Sequence, residues 1–264
     1  MGQKTLRYFL LALAISYIIG LFLFAPSEDA GALQAEETDE IEDTTYPDIQ
    51  IRTVSREDEQ YKLYVQTPVF QEATLDQFFG DYVEQVMNQF FHIVEQKQQL
   101  NHDVPAELKL TVEIAKAGEG LYSIQFHEES YTGGATVNQK VKSWMVDLKE
   151  GELFDRKSLF KDTEKAKDTV FALIEKQLYT SEQYRDYILE PELEGWLAQT
   201  DYHFSNMFID DGKAVFHFDQ YEVLSGAAGL PEIYVPMQEL EGLIQDEWLK
   251  RLELEDATGL DFYM

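Results

Sequence analysis

Residues 6–24, LRYFLLALAISYIIGLFLF, form an almost uninterrupted apolar run whose one charge, Arg7, stands at its start. A helix of that length crosses the roughly 30 Å hydrocarbon core of a bilayer, so the run reads as a spanning helix and the rest of the chain must fold on one side of a membrane. Lys4 and Arg7 precede the run and Glu28 and Asp29 follow it. The positive-inside bias then leaves a cytoplasmic tip over residues 1–7, an anchor over 8–25, and the remainder outside the cell as a single-pass protein of the cell membrane. A cleaved signal peptide is the competing reading, because Ala30-Gly31-Ala32 has the small-x-small pattern of a cleavage site. The apolar stretch exceeds the usual signal core of about 7 to 15 residues, so the uncleaved anchor is preferred.

Residues 26–45 are acidic, poor in large apolar groups and without periodicity. That is the composition of a solvated linker, extended by repulsion between its own charges. The formal charge of the chain is −29. Residues 1–45 hold two bases and eight acids, so residues 46–264 still carry a net −23. Such a body repels nucleic acid, whose binding needs a Lys/Arg footprint. Cationic proteins or metal ions are its favoured electrostatic partners. Cysteine is absent, which excludes disulfides, thiolate metal sites, cysteine nucleophiles and a lipid-modified cysteine.

Hydrophobic residues make up 44% of the chain, with 15 Tyr and 17 Phe, enough apolar surface to offset chain entropy in a real core. Runs of β type over Ile49–Ser55 and Tyr61–Phe70 suggest a hairpin. Thr74 and Gln77 have capping-box spacing, and Leu75, Phe78, Phe79, Tyr82, Val83, Val86, Phe90, Ile93 and Val94 then recur at helical spacing. Leu108 to Ile114, Tyr122 to Phe126 and Val137 to Leu148 alternate as a three-strand meander, with Gly118 and Gly120 flanking a turn. A second amphipathic helix carries Ala166, Val170, Leu173, Ile174 and Leu178, and Glu192 to Gln199 reads as another. Asp211-Gly212 marks a hairpin turn before a strand from Val215 to Tyr221. Pro231 and Pro236 bracket a short edge-like strand, Glu232 to Val235, ahead of a helical segment near Leu240 to Leu249. The fold class expected is α+β, with antiparallel sheet and helices packed on one face, preceded by one N-terminal transmembrane helix. Parallel strand–helix–strand alternation is not expected. The expected division is two α+β subdomains over 46–150 and 151–250, closed by an acidic tail over 251–264.

Tyr131-Thr132-Gly133-Gly134-Ala135 opens a set of motifs that continues with Asp147-Leu148, Gly151-Glu152-Leu153-Phe154 and Leu159-Phe160. The set closes with Phe218-Asp219-Gln220-Tyr221-Glu222, Ala227-Ala228-Gly229-Leu230-Pro231-Glu232 and Val235-Pro236. In order and spacing it resembles the extracytoplasmic domain shared by the lysozyme-responsive anti-sigma factor RsiV and the N-terminal portion of the peptidoglycan deacetylase PdaC. The resemblance implies a PdaC-like first subdomain, an RsiV-like second one, and lysozyme or a cell-wall component as ligand. That family commonly has His after Gly-Gly-Ala, where this chain has Thr136. Only MGQKTLR precedes the expected anchor over 8–25, about two helical turns, too little to grip a sigma factor.

The five histidines, His92, His102, His127, His203 and His217, make no HxxxH or HExxH spacing, so metal-dependent deacetylation is not expected, nor any metal or cofactor. Ser225-Gly226 lacks the Gly-x-Ser-x-Gly frame of a nucleophile elbow. A carboxylate pair for glycoside hydrolysis is a three-dimensional matter that sequence leaves open. Candidate binding residues are Tyr131, Gly133 and Gly134 around the paired-glycine turn, Tyr221 at the end of the returning strand, and Ala228, Gly229, Pro231 and Glu232 in the Gly226–Pro236 stretch, since loops on rigid sheets often carry function. The function expected is non-enzymatic binding or sensing of a cationic protein such as lysozyme, or of a cell-wall component. An accessory role in peptidoglycan modification is the alternative.

Overall fold

A computed structural model describes residues 36–98, 104–133, 136–252 and 254. The anchor expected over 8–25 lies outside these residues. Among the described residues no helix is long and apolar enough to cross a membrane. The linker expected over 26–45 gives way at its C-terminal end to strand β1, Glu36–Asp43. Three of its acids are met by β2, Ile49–Glu57, where Arg52 Nε donates to Asp39 at 2.8 Å, Arg56 Nη2 to Glu37 at 2.7 Å and Gln50 Nε2 to Asp43 at 2.7 Å. Composition taken segment by segment cannot see a complement that lies further along the chain.

Strand β3, Tyr61–Phe70, completes a hairpin with β2. Its turn is held by the Asp58 carboxylate, which accepts from the N–H groups of Gln60 and Tyr61 at 2.7 and 2.9 Å. Helix α1 runs over Ala73–Gln98. It starts one residue before Thr74, so the expected capping box is not made. Asp76 instead reaches back to accept from the N–H of Phe70 at 2.6 Å. Leu75, Phe79, Val83, Val86, Phe90 and Val94 are buried along one stripe, while Ile93 is exposed. The helix carries the chain about 39 Å, back to the level where β3 began. Strand β4, Ala106–Gly118, therefore runs parallel to β3, with Ala106 beside Tyr61. This strand–helix–strand unit corrects the expectation of antiparallel pairing throughout.

Strands β5, Leu121–Tyr131, β6, Asn138–Asp147, and the short β7, Glu152–Leu153, follow as an antiparallel meander. The seven strands lie in sequence order in one sheet. Strands β8, Met207–Asp210, β9, Lys213–His217, and β10, Glu232–Pro236, form a second, three-stranded sheet in the order β10-β9-β8. Asp211 and Gly212 turn β8 into β9 with φ of 44° and 68°, as the Asp-Gly pair requires. The returning strand ends at His217, and Tyr221 belongs to the loop beyond it. The other helices are α2, Thr163–Thr180, α3, Glu190–Leu197, α4, Met237–Leu240, and α5, Asp246–Arg251.

Two cores result, one on each side of the large sheet. Helix α1 covers the face bearing Leu63, Val65, Leu108, Leu110, Ile124, Phe126 and Val146. On the opposite face Ala117, Leu121 and Met145 join a core built from α2, α3 and one face of the small sheet. Helices thus lie on both sides of the assembly, which corrects the expectation of a single helical face. The tail expected from residue 251 also starts later, because Leu252 and Leu254 are buried in the second core. Helix α5 closes on the β4–β5 turn. A Cβ on Gly118 would stand 2.2 Å from the Arg251 carbonyl oxygen, and the Arg251 guanidinium holds buried Asp147 at 2.6 and 2.9 Å.

Candidate functional site

The small sheet meets the large one through its edge strand. Ser123 of β5 donates from its hydroxyl to the carbonyl of Ile209 at 2.8 Å and accepts the Ile209 N–H at 3.0 Å. Ser143 of β6 donates to the Met207 carbonyl at 3.3 Å. These hydroxyls supply the partners that the outer edge of β8 lacks. Arg156, buried beside them, donates to the carbonyls of Ser143 and Ser205. It has no carboxylate within salt-bridge reach among the described residues, and burial lowers its pKa to about 10.

Docking by one edge leaves a re-entrant angle between the sheets. Phe208, Val215 and Tyr234 share one face of the small sheet by register, and Phe208 and Val215 pack against Ala115 of β4. At the inner end of this angle, His217 is 3% exposed and stacks on Phe208 with ring centroids 4.7 Å apart. The amide of Gln125, 1% exposed, lies 2.8 Å from its Nε2. The His217 pKa is pushed down to about 3 by burial, helped by nearby His127 and Arg156, although Glu232 lies 3.5 Å from its Nδ1. The burial outweighs that one carboxylate, which is itself partly exposed, so His217 is neutral. Further out, His127 faces Glu113 at 3.5 Å and the Tyr234 hydroxyl donates to Glu232. That bond, with burial adding to it, raises the phenol pKa to about 12.

The loop from Phe218 to Pro231 rises from this angle and brings together Tyr221, Ala228, Gly229, Pro231 and Glu232 of the candidate residues. Asp219 fastens the loop to the large sheet by accepting the N–H of Val141 at 3.1 Å, and Glu222 accepts the N–H of Asp219 at 2.8 Å. Burial raises the pKa of Glu222, and also that of Glu128 on β5, where Lys140 opposes the effect and Asp219 adds to it. Perturbed carboxylates occur in catalytic sites, but here Glu222 serves to hold the loop. Tyr221 has φ of 68° and is 59% exposed. Its ring lies across Gly226, where a Cβ would stand 2.4 Å from the phenol carbon. Only glycine at 226 permits that contact. Gly229, at φ of 72°, turns the chain toward Pro231 and β10.

Tyr131 and Gly133 do not join this loop. Tyr131 ends β5, and Gly133, at φ of 83°, is exposed in the turn beyond it, while Gly134 lies outside the described residues. His127, opposite Val141 and so level with the Asp219 anchorage, is four residues from Tyr131 along β5, about 13 Å. Tyr131 instead lines a groove on the open sheet face with Thr38, Tyr64, Lys109, Glu129 and Val137. Among the described residues no group of three or more His, Cys, Asp or Glu side chains is placed to hold a metal ion. Sequence reading missed Ser123, Gln125, Ser143 and His217, because a polar residue alternating with apolar ones reads as solvent-facing. The signal available was the short side chain at 123 and 143, which lets another backbone approach.

Residues 157–238 match the family model described as "Protein of unknown function (DUF3298)". The matched segment contains α2, α3, the whole small sheet and the Tyr221 loop. Over 95% of its length the chain is 21% identical to the peptidoglycan-N-acetylmuramic acid deacetylase PdaC of Bacillus subtilis strain 168, and it spans 53%, about half, of that protein's length. A solved DUF3298-family structure from Bacteroides fragilis superposes with a TM-score of 0.53 at 15% identity, over 84% of this chain and 96% of that one. Another, from Pseudomonas aeruginosa PAO1, gives 0.52 at 13% identity, over 81% and 94%. Together these similarities bear out the resemblance to the PdaC-like domain family, and the two structures share its fold.

Proposed function

We propose that the chain is a non-enzymatic binding domain, held to the outer side of the cell membrane by its N-terminal apolar segment, with a cationic protein of the lysozyme kind as its ligand. One observation carries this reading. Tyr221 is a bulky residue held at positive φ and 59% exposed, where a strained backbone costs about 1–3 kcal/mol and the ring's contact over Gly226 is the packing set against it. Strain kept at an exposed aromatic points to what the aromatic touches. Tyrosine flanked by carboxylates is the composition of an interface hot spot for Lys and Arg; Asp219 and Glu222 belong to the same loop, and Glu232 opens the strand that follows it. The net charge of −29 adds long-range attraction for a basic partner.

The test is a titration of hen lysozyme onto the compact unit from Ala35 to the C-terminus. Binding that weakens as salt rises, and that weakens about tenfold or more in Tyr221→Ala, is the expected result. Absence of binding at low ionic strength removes lysozyme as the partner. Binding indifferent to Tyr221 removes the loop.

A further inference from the structure

Strand β1 is the outer strand of the seven-stranded sheet, and among the described residues nothing pairs with its far side. All the side chains from Glu37 to Asp43 are exposed. In an antiparallel ladder alternate residues direct their N–H and C=O groups to opposite sides, so half of this strand's backbone groups face outward and unpaired. Such an edge is a template for one more strand. Which strand it accepts is decided by its side chains.

The two faces of β1 differ in charge. Glu37, Asp39, Ile41 and Asp43 share one face, and its first two acids are neutralised by Arg56 and Arg52 of β2. On the other face Thr38, Glu40 and Glu42 stand beside Ser55, Thr53 and Ile51, none of which carries charge. Glu40 and Glu42 are therefore two carboxylates in ladder spacing with no cation from the described part of the chain. Ile41, 58% exposed, offers an apolar contact on the opposite face. We infer that the free edge of β1 binds a basic extended polypeptide segment by strand addition, with Lys or Arg at alternate positions set against Glu40 and Glu42. A second copy of this chain is the wrong occupant. Edge-to-edge pairing of two β1 strands sets carboxylates against carboxylates, and like charges directly opposite one another destabilise a ladder. The acids that prevent self-pairing thus select a basic partner.

The surface is distinct from the Tyr221 loop and is tested separately. The full-length chain in detergent micelles is titrated with the fluorescent octapeptide Lys-Val-Lys-Thr-Lys-Val-Lys-Thr, and backbone hydrogen exchange is followed in the same samples. Expected are saturable binding that weakens with salt, slowed exchange at residues 36–43, and about tenfold weaker binding by the doubly substituted Glu40→Lys, Glu42→Lys chain. The exposed positions of these substitutions leave the fold intact, which circular dichroism verifies. The same peptide N-methylated at alternate residues, so that its backbone cannot pair, is expected not to bind. Tyr221→Ala is expected to bind the octapeptide like the parent, which separates this inference from the proposed function. Binding that survives charge reversal or N-methylation overturns it, as does protection located elsewhere. Protection of residues 36–43 that grows with chain concentration in the absence of peptide overturns it in favour of self-association.

Discussion

The two faces of the seven-stranded sheet are covered by different means. On one, α1 lays Phe78, Phe79 and Tyr82 against Phe126 and Trp144, a cluster whose ring centroids lie 4.7–5.9 Å apart. On the other, Ala117, Leu121 and Met145 pack into the second core, and beside them runs a polar seam of buried Ser123, Gln125, Ser143, Arg156 and His217. Apolar packing is forgiving about register and strong per unit area. A polar seam is weak in net terms and demanding in geometry, because every group left without a partner costs about 1–3 kcal/mol. Both faces bury an apolar core, and the polar seam of the second also fixes where β8 sits and hence where the Tyr221 loop points.

Substitutions on the two faces should separate these roles. Phe79→Ala removes a fully buried ring stacked on Phe70 and Phe126 and is expected to cost about 3–5 kcal/mol in urea unfolding. A loss under 2 kcal/mol, on the order of a surface substitution, contradicts the weight given to this face. On the polar side, His217 takes up a proton only near pH 3 when folded but near pH 6.5 when unfolded. Its folded pKa is lowered, so stability is full above the unfolded value and falls as pH drops from about 6.5 toward 3. The contribution lost by pH 4.5 is about 2–3 kcal/mol. His217→Gln should flatten that part of the pH–stability curve, and an unchanged slope shows that the histidine is not buried as described.

Arg156→Met should cost less, about 1–2 kcal/mol. It strips the carbonyls of Ser143 and Ser205 of a donor but also removes the burial of an uncompensated charge. A sharper sign of its role is a loosened small sheet, read as faster hydrogen exchange in β8 with α1 unaffected. The smallest effect is expected at the loop. Asparagine tolerates positive φ better than tyrosine, so Tyr221→Asn should leave stability unchanged or raise it by about 0.5–1 kcal/mol while lowering affinity for lysozyme. A clear loss of stability assigns the tyrosine to packing and removes the argument from strain.

Periodicity made the apolar side legible. The stripe from Leu75 to Val94 and the alternation of Leu108, Leu110, Ile124 and Phe126 identify that core before any coordinates. The polar side was not legible, because Ser123 and Gln125 alternate with Ile124 as they would beside water, and only the arrival of β8, more than eighty residues later, covers them. The strand at Glu36–Asp43 was hidden for a related reason, since its acids look solvated until Arg52 and Arg56 are placed opposite. Of the candidate residues, Ala228, Gly229 and Pro231 lie in the loop expected, and Tyr221, expected at a strand end, joins them because β9 stops at His217. Tyr131 and Gly133 belong to a different groove.

Helix α5 has a bearing on the order of assembly. The carbonyl of Arg251 fills the niche over Gly118, and its guanidinium holds Asp147, so α5 completes a junction whose other half was synthesised long before. A chain growing from its N-terminus can seat α1 early, yet the far side of its main sheet waits for α2, α3 and the small sheet, and its β4–β5 turn waits for α5. Termination before α5 therefore leaves Asp147 without its guanidinium partner, bares the niche over Gly118 and takes Leu252 and Leu254 out of the second core.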